Sequence, residues 1–135
     1  MRPTLLSFNV TGDRLNRLRF ACMRQSILLS PAPPEDFAQP LGALCGLMPR
    51  AAETTPGEPL PGEMLVMANL SRLQAERLLA ALKQARLFFP LKAVLTPTNA
   101  AWDAPRLYRE LMAEREAIAR QERAPHQADE EKPSV

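Results

Sequence analysis

Met64-Leu65-Val66-Met67-Ala68-Asn69-Leu70-Ser71-Arg72-Leu73-Gln74 carries the pattern on which the fold turns. Five consecutive apolar residues predict a strand buried on both faces. Ser71 and Gln74 then make an S-x-x-Q capping box that opens a helix. Ala75, Leu78, Leu79, Leu82 and Ala85 form the apolar stripe of that helix, and Leu91-Lys92-Ala93-Val94-Leu95-Thr96 alternates as a half-exposed strand. The same plan stands 60 residues earlier. Leu5, Leu6, Asn9, Val10 and Thr11 align with Leu65, Val66, Asn69, Leu70 and Ser71, and Arg17, Leu18 and Ala21 align with Arg77, Leu78 and Ala81. Thr4-Leu5-Leu6-Ser7-Phe8-Asn9 predicts the first strand. Thr11 is expected to cap the following helix, with Asp13 in its first turn and Leu15, Leu18 and Cys22 on one face. Ser26-Ile27-Leu28-Leu29-Ser30 predicts the next strand, which Pro31 stops.

A duplicated strand–helix–strand unit implies an α/β (α+β) two-layer sandwich, ferredoxin-like β-α-β-β-α-β, followed by a C-terminal helix. A small open parallel α/β sheet is the alternative. Phe37, Leu41, Leu44 and Met48 have helical spacing, interrupted by Pro40, and a crossover helix there would make the strands parallel. Both arrangements place two layers around one core. The final helix is expected over residues 103–120, with Pro105 near its start and Leu107, Leu111 and Ile118 on its buried side. Residues 1–120 read as a single α/β domain with a Pro-rich middle segment, 31–62, which holds eight of the 14 prolines and so is not one regular element. Residues 121–135 read as a disordered polar tail.

The chain has 135 residues, 46% of them apolar and 24% charged, with a net charge of +2, as suits one globular domain. No apolar run approaches the length of a membrane span, and the N-terminal apolar stretch is too short for a signal peptide. A cytoplasmic location without membrane contact is therefore expected. Two cysteines, Cys22 and Cys45, are too few for a disulfide scaffold and read as small core residues. The one histidine, His126, lies in the tail. No phosphate-binding glycine loop, H-E-x-x-H, C-x-x-C or G-x-S-x-G is present, so neither a cofactor nor a metal is expected. Asn9-Val10-Thr11 and Asn69-Leu70-Ser71 match the glycosylation sequon but read as helix caps.

Two features rise above this background. In the run 91–102 a strand ends in Thr96-Pro97-Thr98-Asn99, close to the only tryptophan. Lys92, Thr96, Thr98, Asn99 and Trp102 are candidate ligand-binding residues for a small anion or nucleotide at this turn. The opposing reading makes the loop a structural turn, with Trp102 plugging the core. Charge is the second feature. Residues 1–24 carry +4, 25–69 carry −4, 70–95 carry +4 and 96–135 carry −2. Arg14, Arg17 and Arg24 are expected to stand near Arg72, Arg77 and Arg86 on neighbouring helices, a surface for nucleic acid or an acidic partner, or simply solvated arginine. No aromatic pair of the RNA-recognition type is present.

The block from Glu63 to Trp102, above all Leu91-Lys92-Ala93-Val94-Leu95-Thr96-Pro97-Thr98-Asn99, resembles a bacterial family known only as domain of unknown function 3783. Gln39-Pro40-Leu41-Gly42-Ala43-Leu44 is similar to a second motif of that family. The resemblance implies a small bacterial cytosolic protein with no assigned activity, and it carries no catalytic residues over. Arg86-Leu87-Phe88-Phe89-Pro90 departs from the family pattern, and an exposed Phe88 or Phe89 there would mark a contact surface. The expected function is a non-enzymatic binding, regulatory or protein-interaction domain. Self-association is expected through Phe88, Phe89 and the Met64/Met67 strand. Small-anion binding at the 96–99 loop and nucleic-acid binding by the basic helices are the alternatives. Enzymatic phosphoryl or acyl chemistry at that loop lacks a general base within the run before Trp102.

Overall fold

The computed structural model describes residues 1–52 and 58–123. Along the chain these form β1 (Thr4–Phe8), α1 (Gly12–Arg24), β2 (Leu28–Ala32), a 3-10 turn (Pro34–Asp36), α2 (Leu41–Leu44), β3 (Met64–Ala68), α3 (Arg72–Gln84), β4 (Lys92–Val94), a second 3-10 turn (Asn99–Ala101) and α4 (Ala104–Arg123). The four strands make one sheet in the order β2-β1-β3-β4. β1 pairs with β2 and β3 with β4 in parallel, while β1 and β3 run antiparallel at the centre.

The duplication read from the sequence is present as a pseudo-two-fold axis. Leu6 lies opposite Val66, its own equivalent 60 residues on, and Leu5–Met67 mirrors Ser7–Leu65. Equivalent details repeat on both sides of the axis. Asn9 and Asn69 take the left-handed conformation at φ 63° and 59°, where asparagine is among the tolerated residues. Each then ties its strand end to the segment entering the other unit. Asn9 Nδ2 donates to the carbonyls of Leu60 and Gly62, and Asn69 Nδ2 donates to that of Met1.

The ferredoxin-like sheet expected from the sequence is not the arrangement found. That fold splits each strand–helix–strand unit with a strand of the other. Here each unit stays whole, and the two meet edge to edge through β1 and β3. The open parallel sheet is also replaced by a mixed one, because the central pair is antiparallel. Its crossover helix shrinks to the four residues of α2, since Pro40 lacks an N–H and pushes Gln39 out of the helical region. Periodicity reports what happens inside a unit. It carries no information on how two units joined by a long connector pair.

Two layers around one core become three layers around two cores. Every residue of β1 and β3 is buried, so both faces of the sheet are covered. Leu5, Leu65 and Met67 pack with Leu18, Cys22, Leu78, Leu82 and Phe89 under α1 and α3. Leu6, Phe8, Met64 and Val66 pack on the other side with Phe37, Leu41, Leu60, Leu91 and Leu107. Gly42 of α2 sits where an added Cβ would lie 2.6 Å from the flexible end of Met48 and 3.2 Å from Ala100, so a side chain there would displace Met48 and press on Ala100.

Element ends show which local signals hold. The capping box forms, with Ser71 Oγ accepting from the Gln74 N–H at 3.0 Å and Gln74 Oε1 from the Ser71 N–H at 3.0 Å. Thr11 occupies the cap position of α1, but its side chain makes no capping bond. Asp103 caps α4 through the Arg106 N–H at 3.0 Å. β2 starts two residues later than expected and runs through Pro31, which an edge strand tolerates because part of its N–H row faces away from the sheet. α4 continues through Arg123, so residues 121–123 are helix and not tail; residues 124–135, with His126, lie outside the described residues. Leu107 is buried, whereas Ile118 is 54% exposed, because α4 has by then outrun the body it packs on.

Both helices of the repeat close with a Schellman motif. Ser26 and Arg86 sit at φ 58° and 56°, the N–H groups of Ile27 and Leu87 reach back to Cys22 and Leu82 at 2.9 Å, and these four side chains meet in the core. A left-handed non-glycine residue costs about 1–2 kcal/mol, partly offset by the entropy a glycine adds to the unfolded chain. Ser26→Gly and Arg86→Gly are each expected to stabilise the protein by roughly 0.5–1 kcal/mol, read as a higher urea midpoint at unchanged m-value.

Candidate functional site

The 91–102 loop is built largely from its own polar groups. Asn99 Oδ1 accepts from the Thr96 N–H at 2.8 Å, Thr96 Oγ1 accepts from the Asn99 N–H at 3.1 Å, and Asn99 Nδ2 donates to the Val94 carbonyl at 3.0 Å. Asn99 is buried within this ring. Lys92 Nζ donates to the Phe89 carbonyl. Trp102 packs half-buried against the second core, its carbonyl accepts from the Leu41 N–H at 2.8 Å, and the Arg106 guanidinium lies 4.3 Å from its ring centroid. Thr98 is exposed at the tip. Thr96 and Asn99 are thus brought together as the sequence spacing suggests, but their polar groups face one another. Lys92 is directed away from them, to the connection between α3 and β4.

The outer layer of α1 and α3 is different in character. Arg17, Arg19 and Arg24 on α1 and Arg77, Lys83 and the adjacent Arg86 on α3 are all exposed. Two of the expected arginines are engaged elsewhere. Arg14 grips Glu63 through two bonds of 2.6 and 2.9 Å and stacks 4.6 Å from the Phe89 ring centroid, and the Glu63 contact holds its guanidinium even more firmly charged than usual. Arg72 pairs with Glu76 one turn on. Between the two helices runs a groove of ≈ 360 Å³ with Ala21, Ala81 and Ala85 along it and Arg17, Phe20 and Arg24 on one side. Arg17 also donates to the Ala85 carbonyl, fixing one side chain across the groove.

Phe20 is 67% exposed on this face, while Met23, 65% exposed, stands on the side of α1 towards β2. Helical spacing sets Phe20 opposite the Leu15/Leu18/Cys22 stripe. The surface expected to support self-association is largely interior. Met64, Met67 and Phe89 are buried, since β3 is central and Phe89 plugs the first core, and only Phe88 stands exposed. Burial pushes the Cys22 thiol up to about 12, with Arg19 opposing, so Cys22 remains an inert thiol at neutral pH. Among the described residues, no three His, Cys, Asp or Glu side chains cluster closely enough to hold a metal ion, and no helix is long and apolar enough to cross a membrane.

β3, α3, β4 and most of α4 make up one continuous stretch of this architecture. Residues 63–118 match the family described as Domain of unknown function (DUF3783). The match bears out the resemblance carried by Glu63–Trp102 and the Leu91–Asn99 run. It leaves the first strand–helix–strand unit and the Gln39–Leu44 stretch outside the matched residues. No curated protein and no solved structure matches the chain.

Proposed function

We propose that this chain is a non-enzymatic protein-interaction domain whose working surface is the outer face of α1 and α3, and that its partner is an acidic protein segment with an apolar anchor. The supporting observation is the alanine-lined groove between the helices, flanked by Arg17, Phe20 and Arg24. Arginine beside an exposed aromatic is the composition of an interface hot spot. The alanine methyls offer bases no hydrogen-bonding groups, which favours a protein over a nucleic acid. A second copy docked face to face here would set arginine against arginine, which favours a partner of opposite charge.

The test is fluorescence anisotropy with a labelled amphipathic helical peptide of alternating glutamate and leucine turns, against a duplex RNA of equal net charge. The peptide is expected to bind more tightly than the RNA, with affinity falling as salt rises. Phe20→Ser and Arg24→Glu, both at exposed positions, are each expected to weaken peptide binding by about tenfold, some 1.4 kcal/mol, while the melting temperature stays unchanged. Equal or tighter RNA binding, or no effect of either variant, overturns the reading.

Self-association has its own supporting observation in Phe88, 67% exposed beside the short edge strand β4 and bordering a groove of ≈ 500 Å³ with Leu79 and Lys83. Native mass spectrometry of the untagged chain with and without Phe88→Ser separates the two surfaces. A dimer lost in that variant places self-association at the β4 edge, and a monomer throughout removes it.

A further inference from the structure

The pseudo-two-fold relation allows one half of the protein to serve as a control for the other. Between the carboxyl ends of β1 and β2 and the first turn of α1 lies a cavity of ≈ 290 Å³, lined by Ser7, Val10, Leu15 and the prolines 31, 33 and 34. In the second unit the position of Ser7 is taken by Met67, a larger, buried apolar side chain of the first core, and the first turn of α3 is closed by its capping box. The first unit lacks both devices. Ser7 is 1% exposed, and its hydroxyl is buried without a hydrogen-bond partner. Thr11 leaves the first-turn N–H groups of α1 without a side-chain cap, and Gly12 presents open space where a Cβ would stand.

We infer that this cavity is a binding site for a small carboxylate with an apolar body, held by the Ser7 hydroxyl and the N-terminal N–H groups of α1. A buried hydroxyl without a partner costs free energy that a ligand oxygen would recover. The uncapped N–H groups and the helix dipole add attraction for one negative charge. The proline, valine and leucine walls accept an apolar body. No lysine or arginine lines the cavity, and Asp13 and Glu35 stand on the adjoining turns, which disfavours a doubly charged phosphate. The carboxyl ends of adjacent parallel strands are also where open α/β sheets receive ligands.

The test is a two-dimensional amide NMR titration of the full chain with sodium benzoate, benzamide, inorganic phosphate and the peptide acetyl-Gly-Gly-Phe. Benzoate is expected to shift the amides of Ser7, Gly12 and Asp13, with benzamide and phosphate weaker by about tenfold or more, the worth of one hydrogen bond to a charged group. Binding confined to benzoate assigns a free acid, and binding of the peptide as well assigns the terminal carboxylate of a chain; both uphold the site. Ser7→Met, which imposes the residue of the second unit, is expected to abolish the shifts. Ser7→Ala, a smaller change, is expected to weaken them by about tenfold. Absence of benzoate shifts at these amides, equal affinity for benzamide or phosphate, or a Ser7→Ala variant that binds as the parent does overturns the inference.

Discussion

Replacing Phe8 with alanine is expected to lower the unfolding free energy by about 3–5 kcal/mol, the usual loss for a fully buried phenylalanine. Phe8 has no exposed surface and lies 5.7 Å from the Phe37 ring centroid at a tilt of 60°, joining β1 to the segment that leads into α2. Nothing nearby can collapse into the space, because the sheet backs it on one side and α2 and α4 hold the other. On the opposite face Leu18→Ala is expected to cost about 2–5 kcal/mol. Both cores are built on the same two strands, so each variant is expected to shift one shared urea transition. Trp102, the only tryptophan, reports from the Phe8 side, and far-UV circular dichroism draws on helices of both layers. Coincident midpoints by the two probes confirm a single cooperative unit, and separated midpoints contradict it.

Asn99→Ala is expected to cost about 1–3 kcal/mol, because it strips two part-buried hydrogen bonds that the buried Asn99 side chain makes to the turn. The Thr96 N–H and the Val94 carbonyl would each lose the partner they have at 2.8 and 3.0 Å. Thr98→Ala, at the exposed tip, is expected to change stability by no more than about 0.5 kcal/mol. Guanidinium unfolding of the two variants checks the pair. Equal small effects would return the loop's polar groups to a ligand-binding role, since their bonds within the turn would then contribute nothing.

What the sequence made legible were patterns closed within about 25 residues. The buried run of β3, the Ser71–Gln74 box and the Leu78/Leu82 stripe each depend on near neighbours, and each stands where spacing puts it. The two-fold repeat was also readable, since duplicated positions keep their residue types. What was not readable is the joining of the units. The strand order depends on contacts between residues some 60 apart, and no local period encodes them. The second core was missed for the same reason. Phe37, Leu41, Leu60 and Leu107 come from separate short pieces with no shared period. At the candidate surface the arginines were legible as charge, but Arg14's attachment to Glu63 and the exposure of Phe20 required the fold.

The most direct test of the account is to map where the acidic amphipathic peptide touches the isotopically labelled chain by amide chemical-shift perturbation. Shifts are expected to concentrate on Arg17, Phe20 and Arg24 of α1 and on Ala81, Gln84 and Ala85 at the end of α3, with β4 and α4 silent. Shifts centred on Phe88 and β4, or spread evenly with no focus on the groove between α1 and α3, would contradict it.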